Sequence, residues 1–219
     1  MKLKICGQKH NIADVAGLQP DYLGFIFWEP SSRYFDHEPS PLPPEIKSVG
    51  VFVDASIENV LEKVSAYHLD AVQLHGNETP EYCANLKNRH SELVSESQTK
   101  EFDIIKVFSI KETFDFSILE AYENSCDYFL FDTKGKLPGG NGYAFDWEVL
   151  QQYPSTKPYF LSGGIGLENV NELRKFLDTD TSKYCYAIDV NSKFETEPGF
   201  KDIKKLKEFK KVLENELSR

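Results

Sequence analysis

The chain has 219 residues, of which 40% are hydrophobic and 27% charged, and a formal net charge of −10. This length fits one α/β domain with a substantial buried core, and the acidic balance argues against nucleic-acid or anionic-membrane partners, which need basic patches. No 18-residue apolar run and no signal-like stretch occurs, and Cys6, Cys83, Cys126 and Cys185 lack metal-ligand spacing, so the expectation is a cytoplasmic protein with reduced thiols and no metal.

Short apolar runs recur along the chain at Leu3–Cys6, Tyr22–Phe27, Ser48–Val53, Ala71–Leu74, Ile104–Phe108, Tyr128–Phe131, Tyr159–Leu161 and Cys185–Val190. Strands buried on both faces of a parallel sheet read this way. Between several of them lie helical patterns. Ser56–Tyr67 opens on a serine cap and spaces Val60, Leu61 and Val64 along one face. Glu168–Leu177 does the same with Val170, Leu173 and Leu177, and Asp202–Leu217 with Ile203, Leu206, Phe209, Val212 and Leu213. Eight strands alternating with helices predict a single-domain (β/α)8 TIM barrel over residues 1–219. Residues 29–45 are rich in proline and serine, so a loop is expected in place of the second helix. Residues 88–101 are polar and are expected to be a surface extension away from the site.

The chemistry-bearing residues follow strand ends, where such a barrel builds its site. Cys6 ends the first strand and precedes Gly7; as a thiolate it can act as base or nucleophile, against the competing reading of a small buried apolar residue. Arg33, in the loop after strand two, can pair with a substrate carboxylate or simply be solvated. His75, after strand four, can shuttle protons or only hydrogen-bond inside the mouth. Asp132 ends the sixth strand, where partial desolvation suits a general acid, with a turn or cap residue as the alternative. The four glycines between Gly135 and Gly142 suit a mobile cover or a plain connection. Ser162, Gly163 and Gly164 after strand seven, with Asn191 and Ser192 after strand eight, occupy the two positions that commonly cradle a phosphate. Asp189 can accept from sugar hydroxyls or hold a backbone amide.

In order, Lys4-Ile5-Cys6-Gly7, Ser32-Arg33-Tyr34, Gln73-Leu74-His75-Gly76, Phe131-Asp132-Thr133, Leu161-Ser162-Gly163-Gly164 and Asp189-Val190-Asn191-Ser192 resemble the phosphoribosylanthranilate isomerase family across nearly the whole chain. The resemblance implies a (β/α)8 enzyme of tryptophan biosynthesis, working without metal or cofactor on a phosphorylated small molecule. It further implies Asp132 as general acid, Cys6 as general base with a lowered thiol pKa, and Arg33 on the anthranilate carboxylate. Asp189 would hold a ribose hydroxyl, His75 would line the substrate site, and the loops at 162–164 and 191–192 would hold the phosphate. Lys193 departs from the family pattern, standing where glycine is common. A monomer and a homodimer both remain open.

Three rivals are weaker. A related isomerase acting on another aminoaldose phosphate keeps the barrel, but the histidine-pathway pattern places an acidic residue where Cys6 stands. A cysteine hydrolase needs a histidine base, for which only His75 is at a strand end. A binding protein without turnover would be expected to have lost Cys6 or Asp132, and both are present.

Overall fold

The computed structural model describes residues 1–38, 41–96, 101–133 and 146–217. Eight strands, β1 (Lys2–Ile5), β2 (Tyr22–Ile26), β3 (Lys47–Phe52), β4 (Ala71–Leu74), β5 (Asp103–Ile110), β6 (Tyr128–Thr133), β7 (Tyr159–Leu161) and β8 (Cys185–Val190), pair in chain order and close into a barrel. Every pairing is parallel, and β1 closes the ring on β8 with Lys4 opposite Asp189. Because successive side chains alternate across a strand, each strand feeds two cores. Tyr22, Val49, Ile105, Leu130, Phe160 and Ala187 fill the barrel interior, while Leu23, Phe52, Ile104, Phe129, Phe131 and Leu161 pack outward in the larger core.

Helix α1 (Ile12–Ala16) is short; α2 (Ile57–Tyr67) is capped by Ser56, whose hydroxyl accepts from the Asn59 N–H at 3.2 Å. Helices α3 (Pro80–Glu96), α4 (Val170–Leu177) and α5 (Ile203–Leu217) follow β4, β7 and β8. As expected, the described residues between β2 and β3 form no helix; Phe35 folds back onto Phe25 and Phe27 instead. Among the described residues after β5 and β6, 3₁₀ segments, Phe116–Tyr122 and Trp147–Gln152, stand in place of helices.

The expected surface extension at 88–101 is helical through Glu96, where it continues α3, and Asn88, Arg89, Ser91 and Glu92 are exposed on it. His90 is buried there against the Phe102 ring, with centroids 4.2 Å apart. Cys83 and Leu86 are buried on the same helix, and His90 extends that face to two turns among exposed polar neighbours, a signal too sparse for periodicity to reveal. Residues 97–100 and the glycine-rich segment 135–142 lie outside the described residues. Among the described residues no helix is long and apolar enough to cross a membrane.

The turn after β4 rests on a buried ion pair, Lys106 Nζ to Glu78 Oε2 at 2.8 Å, both side chains under 5% exposed. Glu78 also accepts from the N–H groups of Asp54 and Gly76, and Lys106 donates to the Gly76 carbonyl at 2.8 Å. Removing one partner of such a pair strands the other charge, at a cost of about 3–5 kcal/mol. Lys106→Met is therefore expected to lose stability on that scale in urea unfolding. A change below about 1 kcal/mol would show that the pair contributes little.

Candidate active site

The period of two explains how the strands assemble one cavity. Lys4 and Cys6, Gln73 and His75, Leu130 and Asp132, Phe160 and Ser162, and Ala187, Asp189 and Asn191 each share the inward face of their strand. Cys6, His75, Asp132, Ser162, Gly163, Gly164, Asp189, Asn191 and Ser192 accordingly line a single cavity at the carboxyl ends of the strands. Arg33 does not line it. Among the described residues, no group of three or more His, Cys, Asp and Glu side chains is placed to hold a metal ion.

Cys6 is 5% exposed, and its N–H continues the β1–β8 ladder to the Val190 carbonyl at 2.8 Å. Gly24 on the neighbouring strand makes room for it: a Cβ there would meet Cys6 Sγ at 2.8 Å. The expectation of a lowered thiol pKa is corrected. Burial pushes the Cys6 thiol up, with Lys4 opposing, Asp189 adding to the rise and Lys201 opposing. Two lysines limit the rise without reversing it.

Beneath Cys6 lies Lys4, fully buried, with Nζ 2.8 Å from Asp189 Oδ2 and 2.7 Å from Gln73 Oε1. Burial works against the ammonium, but the charges of Asp189 and Cys6 outweigh it and hold Lys4 above its ordinary value. Asp189 is thus held by an ammonium rather than a backbone amide, and its second oxygen, Oδ1, is buried with no partner among the described residues. A buried acceptor left open at a cavity wall is suited to a ligand hydroxyl.

Across the mouth, Asp132 is 5% exposed and its Oδ1 accepts from the Thr133 N–H at 2.9 Å. His75 Nε2 stands 3.3 Å from Asp132 Oδ2. This nitrogen is out of line for a hydrogen bond there and has no other polar partner among the described residues.

Arg33 is engaged elsewhere. Its Nε and Nη2 donate to Glu195 at 2.6–2.9 Å, and Lys201 Nζ holds the same carboxylate at 2.7 Å and Asn191 Oδ1 at 2.8 Å. Burial works against the Glu195 charge, but Arg33 and Lys201 outweigh it and keep the carboxyl below its usual range. Glu195 and Lys201 come from a small antiparallel pair after the barrel, β9 (Glu195–Glu197) and β10 (Phe200–Lys201).

The loop after β7 turns through left-handed backbone at Gly163 (φ +93°) and Gly164 (φ +65°), and a Cβ on Gly163 would collide with Thr133. No described residue accepts a hydrogen bond from either N–H. Such consecutive free donors form a concavity for an anion. Opposite them, Ser192–Phe194 make one 3₁₀ turn, and Lys193 reaches across to Glu168 at 2.5 Å. Lys193 borders the cavity, with its ammonium on the partly exposed rim.

Sequence reasoning missed Lys4, Gln73, Glu195 and Lys201. For the first two a signal existed: each stands two residues before a chosen residue on the same strand, hence on the same inward face.

A family model for N-(5'-phosphoribosyl)anthranilate isomerase matches residues 3–212. The chain is similar to the enzyme of that name from Parabacteroides distasonis, 43% identical over 95% of this chain and 91% of that one. Among solved structures it is similar to phosphoribosylanthranilate isomerase from Thermotoga maritima (31% identity, 98% and 99% coverage, TM-score 0.76). It is also similar to an isomerase solved in complex with reduced 1-(o-carboxyphenylamino)-1-deoxyribulose 5-phosphate (29% identity, 98% and 99% coverage, TM-score 0.74).

Proposed function

The chain belongs to the N-(5'-phosphoribosyl)anthranilate isomerase family, and from that premise we propose that its cavity converts N-(5'-phosphoribosyl)anthranilate to 1-(2-carboxyphenylamino)-1-deoxyribulose 5-phosphate by an Amadori rearrangement, in the tryptophan pathway of the cytoplasm. The observation that carries the reading is a buried thiol, Cys6, and a buried carboxyl, Asp132, facing one cavity that also holds the Gly163-Gly164 anion loop.

Asp132 protonates the furanose ring oxygen as the bond from that oxygen to C1′ breaks. The anthranilate nitrogen supplies the electron pair for the resulting iminium. Cys6 as thiolate then removes the C2′ proton; that bonding pair forms the C1′–C2′ double bond and neutralises the iminium. The enolamine gains a proton at C1′ and loses its hydroxyl proton to give the ketone. Thiol and carboxylate remain, and one proton returned through solvent resets the pair. The iminium acidifies the C2′ proton, so a thiolate of moderate basicity suffices.

Asp189 Oδ1 takes a ribose hydroxyl, and the Gly163 and Gly164 N–H groups with Ser162, Asn191 and Ser192 take the phosphate. Arg33 turns from Glu195 toward the anthranilate carboxylate, while Lys201 keeps Glu195 paired. Arg33→Ala should therefore raise KM about 10- to 100-fold, the value of a charge-assisted hydrogen bond, with kcat changed far less. A fall confined to kcat would remove Arg33 from the binding role.

The test is loss of anthranilate fluorescence when the purified protein meets freshly generated phosphoribosylanthranilate. Rapid loss supports the reading; no loss with folded protein overturns it.

A further inference from the structure

We infer that Gln73 is a positioning residue that fixes the tautomer of His75, placing an Nε2–H donor against the carboxyl of Asp132. The starting point is Lys4. Its ammonium is fully buried, has donors only, and lies 2.7 Å from Gln73 Oε1. The amide of Gln73 therefore has one permitted orientation, oxygen toward Lys4 and nitrogen away from it, because the flipped amide would set two donors against each other. Gln73 Nε2, so directed, lies 3.4 Å from His75 Nδ1. An amide nitrogen can only donate, so Nδ1 is the acceptor. In a neutral imidazole the proton then resides on Nε2, the atom 3.3 Å from Asp132 Oδ2 and buried without another partner among the described residues.

The consequence for turnover rests on the proposed role of Asp132. As Asp132 releases its proton, charge grows on its carboxylate, whose Oδ1 already accepts from the Thr133 N–H. An Nε2–H on the Oδ2 side gives that charge a second donor, oriented before the reaction begins. Donors aimed at developing charge in a water-poor site act mainly on the transition state. The misaligned contact leaves this hydrogen bond to tighten as substrate binds. Gln73 and His75 should then affect kcat more than KM.

Gln73→Glu tests the inference by replacing the donor that faces His75 with an acceptor. Gln73→Glu can still accept from Lys4, but its other oxygen can only accept from His75, which draws the proton to Nδ1. Two-bond ¹H–¹⁵N spectra of ¹⁵N-histidine-labelled protein read the tautomers of the five histidines, with His75→Asn identifying the His75 signals. The expected result is Nε2–H in the wild type and Nδ1–H in Gln73→Glu, with kcat down at least about tenfold and KM within about threefold. An Nδ1–H tautomer in the wild type overturns the inference even if Gln73→Glu does not fold, as does Gln73→Glu retaining Nε2–H. A switched tautomer with unchanged kcat overturns the catalytic part. The tautomer is read without turnover, so expected spectra from a protein lacking isomerase activity would overturn the proposed function and leave the Gln73–His75 assignment intact.

Discussion

Replacing Cys6 with alanine is expected to lower kcat by about 10²- to 10⁴-fold, the usual contribution of a positioned base, with KM and folding little changed. The side chain is small, and it fills the space that Gly24 leaves by having no Cβ. Deletion thus opens a void of a single atom, costing about 1 kcal/mol, which thermal unfolding would register as a modest shift. A Cys6→Ala enzyme with near wild-type kcat would show that another group takes the C2′ proton. Serine is a sharper control: it keeps shape and polarity but has no accessible anion, so Cys6→Ser should be as slow as alanine.

The same assignment sets the sign of the pH dependence. The active free enzyme carries a proton on Asp132 and none on Cys6. Lowering the pH adds a proton the base must not hold; raising it removes the one the acid must give. Between those limits the pair shares a single proton, and kcat/KM is level. Because burial pushes the Cys6 thiol above its ordinary value of 9.0, the shared proton rests mainly on the sulfur and the active arrangement is the minor one. The alkaline fall, which is loss of that last proton, should begin above that pH. A decline centred on about pH 7 would mean that the thiol is not so perturbed, or that a different group controls the limb.

The barrel is readable from the residues because strands buried on both faces leave runs such as Tyr128–Phe131 with little else they can be. Ala71–Leu74, Tyr159–Leu161 and Cys185–Val190 match to the residue. What escapes a sequence reading has a common cause. A lysine inside a strand, as at Lys4, looks like a solvent-facing residue unless the strand's inward face is counted back from Cys6. Only closure of the ring, with β8 beside β1, places Asp189 opposite it. Glu195 and Lys201 belong to a short pair outside the repeat and depend on a three-dimensional return toward Arg33. The position of Arg33 after strand two marks it as a cation near the mouth, yet the carboxylate that holds it lies 162 residues away. Local pattern carries the strand ends; the ion pairs between them depend on which strand ends become neighbours.

Asparagine in place of Asp132 should be as damaging as alanine in place of Cys6, but at a different step, and the difference can be measured. The amide introduced by Asp132→Asn keeps the oxygen that accepts from the Thr133 N–H and nearly the same volume, so the mouth should keep its shape. It has no proton of useful acidity to give the ring oxygen, and kcat should fall about 10²- to 10⁴-fold. Substrate deuterated at C2′ then separates the two roles. Without the base, C–H cleavage limits turnover and a large isotope effect is expressed in Cys6→Ala. Without the acid, ring opening limits, C2′ is untouched in the slow step, and the isotope effect in Asp132→Asn should collapse toward unity. The opposite pattern would exchange the roles of the two residues. A large effect in both variants would mean that Asp132 acts after ring opening, in support of the base.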